Sequence, residues 1–153
     1  MQLTLSPIAT VREARVDPVD DRWAQETAWI ELHTPRFTAD ALLGLQDFSH
    51  LEVVYFFHRV PPEAVVCGTR HPRGRQDWPR VGIFAQRAKS RPNRLGLSRC
   101  RLLSIEGTRL KVQGLDAIEG TPILDIKPYL QEFGPRGTHR QPKWATALMA
   151  SYY

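Results

Sequence analysis

The feature that most constrains the fold is a succession of short apolar or alternating runs with almost nothing helical between them. Ile8 to Val11, Ala28 to Leu32, Leu51 to Phe57, Val81 to Ala85, Leu97 to Ile105, Leu110 to Leu115 and Ile123 to Ile126 are rich in β-branched or aromatic residues. Strands this short bury their apolar face only by pairing. Seven of them predict a mainly β chain, a small barrel or sandwich and not a Rossmann sheet. Glu106-Gly107-Thr108 separates two runs and predicts a hairpin turn. Only two short helices are expected. Thr38 caps one in which Leu42, Leu45 and Phe48 share a face. Pro142 opens the other, where Trp144, Leu148 and Tyr152 recur at helical spacing.

The chain has 153 residues, enough for one domain with a real core. Its longest apolar run, Val53 to Phe57, is too short to span a bilayer. No signal-peptide pattern opens it, so a cytoplasmic place of action is expected. Cys67 and Cys100 lack CxxC spacing and are read as free thiols, with one disulfide as the alternative.

Charge divides the chain. Residues 70–101 carry ten Lys and Arg against the single acid Asp77, whereas residues 13–52 carry nine acids against three basic residues. The basic half suits an anionic partner. Within it, the Pro/Arg-rich stretch 61–79 has no strand or helix signal and is expected to be a mobile flap beside a site. Phosphate-loop, dinucleotide, nucleophile-elbow and HExxH patterns are all missing. The five histidines have no metal-ligand spacing, so no metal is expected. His58 ends an apolar strand and reads either as a hydrogen-bonded structural group or as a proton-transfer group.

Three stretches go beyond generic strand sequence. In "RAKSRPNRLGL" (87–97), Pro92 fixes φ and restricts Arg91, and Gly96 would allow a tight turn, so that Arg91 and Asn93 present donors at a fixed place. In "LDAIEGTP" (115–122), Asp116 and Glu119 flank a turn whose Gly120-Thr121 would let a ligand approach the backbone. In "DIKPYL" (125–130), an acid, a lysine and a tyrosine share a strand stopped by Pro128.

In this order, and with "SPIATVRE" and "DALLGLQDFSHLEVVYFFH" before them, these stretches resemble the TsaA-like (TrmO-type) tRNA methyltransferases over nearly all of residues 6–130. Those enzymes act on N6 of threonylcarbamoyladenosine beside the anticodon. The resemblance implies a compact β-barrel that binds S-adenosylmethionine without a Rossmann sheet, and a homodimer that grips the anticodon arm of tRNA. It also implies a single domain with its core at 6–130 and a helical tail at 131–153. Carried over, the cofactor site comprises His58, Arg59, Arg87, Leu97, Ala117, Ile118, Glu119 and Gly120, with a further contact around Asp21 to Trp23. The family commonly reads Arg-Pro-Asn-Pro-Ile-Gly where this chain has Arg94 in place of the second proline.

For the chemistry, a carbamoylated N6 is a poor nucleophile, and an acceptor for its proton or a stabilising cation would help. Asp125 is the candidate acceptor, with a structural anchor for Lys127 as its competing reading. Lys127, Tyr129, Arg91 and Asn93 are candidate positioning or charge-stabilising groups. Lys89, Arg91 and Arg94 are expected to meet phosphate. Two other readings stay open: a non-catalytic cofactor-binding module, and a methyltransferase of this fold with another substrate.

Overall fold

A computed structural model describing residues 1–153 contains a closed antiparallel barrel of six strands. The strands are β1 (Ala9–Arg12), β2 (Thr27–Leu32), β3 (His50–Phe56), β6 (Leu95–Glu106), β7 (Arg109–Gln113) and β8 (Pro122–Pro128). They close in the order β1-β2-β7-β6-β3-β8. Two short strands, β4 (Thr69–Arg70) and β5 (Val81–Gly82), pair with each other as a separate annex.

Alternation explains the closure. Along β3, Leu51, Val53 and Tyr55 point inward and are buried, while Glu52, Val54 and Phe56 face out. Along the first half of β6, Gly96, Ser98 and Cys100 face in, and Leu95, Leu97, Arg99 and Arg101 face out. With Val11, Ile30, Leu110, Val112 and Ile123 these inward residues form one core. Each fully buried aliphatic side chain contributes about 1.5–3 kcal/mol. Trp29 is an outward residue that is nonetheless covered, because Arg109 and Lys111 from β7 lie 4.4 and 5.5 Å from its ring centroid.

Several expectations change. The strand expected at Val81–Ala85 does not enter the barrel; only Val81-Gly82 pairs, and Ile83–Ala85 coils into a 3-10 turn. The buried side-chain amide of Gln86 takes the carbonyls of Arg70 and Val81 at 3.2 and 3.1 Å, which fastens the annex without a longer ladder. The helix expected after Thr38 is two 3-10 turns, Ala39–Leu42 and Leu45–Asp47, separated by left-handed Gly44 at φ 83°. Gly96 lies inside β6 and not in a turn. A Cβ there would stand 2.3 Å from the Tyr55 ring across the strand pair, so glycine is required for space.

The hairpin at Gly107-Thr108 is present, with Glu106 opposite Arg109. The Pro/Arg-rich segment is built, not loose: Arg73 grips Asp21 with two hydrogen bonds, and His71 Nδ1 meets the Trp78 carbonyl at 2.8 Å. The one α-helix, α1 (Lys143–Met149), folds back so that Arg22 and Trp23 donate to the carbonyls of Ser151 and Tyr152. Trp144, Leu148 and Tyr152 are all half-buried. No helix is long and apolar enough to cross a membrane.

Candidate functional site

β3 leaves the barrel at Phe56 where β6 enters at Leu95 and β8 enters at Pro122, so three strand ends converge. At this end stands Asp116. Tyr55 donates its hydroxyl to the Asp116 carbonyl and carboxylate at 3.0 and 3.1 Å, and Tyr152 donates to the other carboxylate oxygen at 2.5 Å. The Asp116 amide in turn donates to Ser98 Oγ at 3.4 Å. Burial first, then the Asp116 charge, pushes both tyrosine hydroxyls well above their ordinary range. They therefore keep their protons and remain donors. The same causes push the Cys100 thiol up to about 12. Cys67 is exposed and Cys100 buried, and both are free thiols.

Most of the expected cofactor residues come together here. The turn 117–120 is tied back by the Glu119 amide donating to the Arg15 carbonyl at 2.8 Å and the Gly120 amide to the Val11 carbonyl at 2.9 Å. Gly120 has φ 77°, and a Cβ built on it would find only His58 Nε2, at 3.9 Å. Arg59 donates to the Val16 carbonyl at 3.0 Å, and the Ala14 amide donates to Glu119 at 3.1 Å. Arg87 donates to the Leu97 carbonyl. Burial, and secondarily the Arg59 charge, lowers the His58 pKa below its ordinary value, so its ring is neutral at pH 7.

The structure also assembles what sequence reasoning missed. Segment 14–16 bonds to Arg59 and Glu119, whereas the early-loop expectation fell on Asp21 to Trp23. That loop is held by Arg15. Arg15 collects the carbonyls of Val19, Asp21 and Arg22, pairs with Glu26 at 2.9 Å and covers the Trp23 ring at 4.1 Å. An arginine after an apolar strand gives no local sign of such partners.

The expected catalytic residues divide into two groups. Asp125, Lys127 and Tyr129 follow β8 along the outer wall. Lys127 Nζ lies 2.6 Å from Asp125 Oδ2, and both side chains are largely in water, at 63% and 45% exposed. Lys127 stands opposite Glu52, which stands opposite Arg99 on β6. Arg99 pairs with Glu52 at 2.7 Å and covers the Tyr129 ring at 4.5 Å. Arg91 and Asn93 belong instead to the turn before β6, closed by the Arg94 amide on the Arg91 carbonyl at 2.9 Å. Arg91 donates to the Gln86 carbonyl at 3.1 Å, and Asn93 is exposed.

The basic loop is more self-engaged than its composition suggests. Lys89 pairs with Asp20 at 3.2 Å. Arg94 donates to the Val60 carbonyl at 2.7 Å and lies over Phe56 at 4.6 Å. Arg94 has φ 50°, a value closed to proline, so replacing the family's second proline changes the backbone as well as the charge. No group of three or more His, Cys, Asp or Glu side chains could hold a metal ion.

Residues 9–134 match the family of the tRNA-methyltransferase O N-terminal domain. The chain belongs to this family. Among its relatives, RcsF of Pseudomonas aeruginosa is 38% identical over 137 residues, which are 85% of this chain and 56% of that protein. The "probable S-adenosyl-L-methionine-binding protein" of Methanothermobacter thermautotrophicus is 36% identical, covering 90% of this chain and 97% of the relative. The human tRNA (adenine(37)-N6)-methyltransferase is 37% identical over 61% of this chain and 21% of its own length. The crystal structure of TrmO from Pseudomonas aeruginosa superposes with a TM-score of 0.74 at 32% identity, covering 92% of this chain and 61% of that one. The chain thus spans only about 56% of its relative RcsF, but nearly the whole of the archaeal one.

Proposed function

We propose that the chain is an S-adenosylmethionine-dependent methyltransferase that methylates N6 of threonylcarbamoyladenosine next to the anticodon of tRNA. The observation that carries the reading is the gathering of His58, Arg59 and Ala117 to Gly120 at one barrel end, in a chain of this family. The fit to the cofactor rests on the approach to the backbone at Gly120, where a Cβ would come against His58 Nε2 at 3.9 Å. Arg59 and Arg87 each direct one N–H to a carbonyl and carry further donors suited to a carboxylate or ribose. Ile118 and Leu97 supply apolar surface beside them.

When bound, S-adenosylmethionine supplies an electrophilic methyl group on a sulfonium. The chain's own residues must hold the acceptor in line and manage its proton. In this reading Asp125 accepts the N6 proton on a carboxylate oxygen. Lys127, fixed beside it at 2.6 Å, and Arg91 offset the negative charge developing on the carbamoyl group. Tyr129 and Asn93 position the base, and Lys89, Arg91 and Arg94 face the phosphates. A closed two-fold homodimer, a metal-free reaction and a cytoplasmic place of action complete the proposal and rest on the family resemblance.

A second reading is a cofactor-binding module without turnover, favoured by the near-complete match to the archaeal protein whose name claims only binding. Nucleoside mass spectrometry of threonylcarbamoylated tRNA incubated with the protein and S-adenosylmethionine separates the two. One added methyl on the modified adenosine supports the enzyme. Saturable cofactor binding with unmodified nucleosides supports the module.

A further inference from the structure

Phe84 is 78% exposed, although nothing in its backbone is loose. It occupies the middle of the 3-10 turn Ile83–Ala85 that follows β5. The Ile83 amide donates to the Gly68 carbonyl at 2.9 Å, and the Gln86 amide donates to the Ile83 carbonyl at 3.2 Å. The buried Gln86 side chain ties the turn to Arg70 and Val81. A rigid turn therefore holds an aromatic ring out in water.

Its surroundings are cationic. Arg70 pairs with Val81 across the annex, Arg80 donates to Thr69 Oγ1 at 2.7 Å on the same ladder, and Arg91 donates to the Gln86 carbonyl. Arg70, Arg80 and Arg91 pair with no carboxylate, whereas eight other basic residues do. The sequence has no acid between Asp77 and Glu106, and Asp77 is taken by Arg75. A second copy pairing through this same surface would meet like charge. A nucleic-acid single strand supplies what the surface lacks, phosphates for guanidiniums and a flat ring for phenylalanine.

We propose that Phe84 is a stacking platform for an unpaired RNA base, with Arg70 and Arg80 on the flanking phosphates. The inference rests on the reading of RNA as substrate and adds a contact outside the methyl-transfer residues. Fluorescence anisotropy with a labelled RNA hairpin carrying adenine in an unpaired loop tests it, beside a fully paired RNA of equal charge. Phe84→Ala should weaken hairpin binding roughly 5- to 100-fold, leave duplex binding unchanged, and keep the salt slope. Phe84→Trp should preserve affinity, and Phe84→Leu should behave like alanine, because stacking needs an aromatic face. Arg70→Gln with Arg80→Gln should flatten the salt slope.

Wild-type hairpin affinity in Phe84→Ala would overturn the stacking role. So would leucine matching phenylalanine while sedimentation shows alanine abolishing self-association, which would mark a protein contact. Calorimetry with S-adenosylmethionine on the same preparations separates the two levels. A wild type that binds hairpin and duplex equally while binding the cofactor overturns stacking alone; absence of cofactor binding in the wild type overturns the proposed function and leaves the stacking result standing.

Discussion

Asp116 and Asp125 lie on either side of the turn that opens β8, and their surroundings are opposite. Asp116 sits at the inner end of the barrel with two tyrosine hydroxyls and no cation within ion-pairing distance. Asp125 lies on the outer wall beside Lys127, in water. The first carboxylate is saturated by donors that cannot lose their protons at ordinary pH, so it is suited to holding structure together. The second is accessible, and an acceptor base can reach it. The acid held by two fixed tyrosine hydroxyls is thereby a poorer candidate for proton transfer than the one on the outer wall beside Lys127.

The comparison breaks most visibly in kinetics. Asp125→Asn keeps shape and removes the proton acceptor, so single-turnover methyl transfer should fall by roughly two to four orders of magnitude. Its melting temperature should not change, since an exposed ion pair adds little to stability. A coupled loss of melting temperature and activity would make Asp125 an anchor. A fully active variant would exclude it as the base.

Folding effects belong to the inner end. Gly96→Ala places a methyl against the Tyr55 ring, which cannot swing away without leaving Asp116. Overpacking of this kind should cost about 3 kcal/mol in urea unfolding. Asp116→Ala strands the half-buried Tyr152 hydroxyl, while Tyr55 keeps the carbonyl of residue 116, and should cost about 1–2 kcal/mol in the same assay. If Asp116→Ala were as stable as wild type while Asp125→Asn unfolded, the division between inner and outer acid would be reversed.

A smaller effect reads the same end through pH. His58 is held below its ordinary value of 6.5 in the folded chain, so the unfolded chain takes up the proton first as pH falls. The stability it contributes is complete above 6.5 and declines as pH drops from there through the folded value. Melting curves should show that decline in the wild type and a flatter profile in His58→Gln. Identical profiles would place His58 in open water.

The barrel was legible because inward and outward residues alternate along β3 and β6, and because pairing is the only way short strands bury an apolar face. Val81–Ala85 was misread for a definite reason. An apolar run says that it is buried, not what buries it, and the Gln86 amide that ends the pairing reaches carbonyls whose positions only folding sets. Gly96 was read as a turn because glycine signals backbone freedom locally, whereas here it makes room for a ring across the ladder. At the site, the candidates at 58–59 and 117–120, which the structure brings together, could be named from sequence because each group is contiguous. The Ala14 amide, the Arg15 carbonyl and the Tyr152 hydroxyl could not, since each acts through a partner far along the chain. The count of basic residues also overstated free charge: Lys89 is paired with Asp20.

In the proposed function the barrel end formed by residues 58–59 and 117–120 holds S-adenosylmethionine, with Arg87 and the outward-facing Leu97 beside it, while Asp125, across Val54 from Leu97, meets only the methyl acceptor. Calorimetric titration of chelator-treated protein with S-adenosylmethionine tests this most directly, on the wild type, Arg87→Ala and Asp125→Asn. Saturable binding by the wild type, equal affinity in Asp125→Asn and weakened affinity in Arg87→Ala are expected. No binding by a folded wild type, or a loss confined to Asp125→Asn, would contradict that placement.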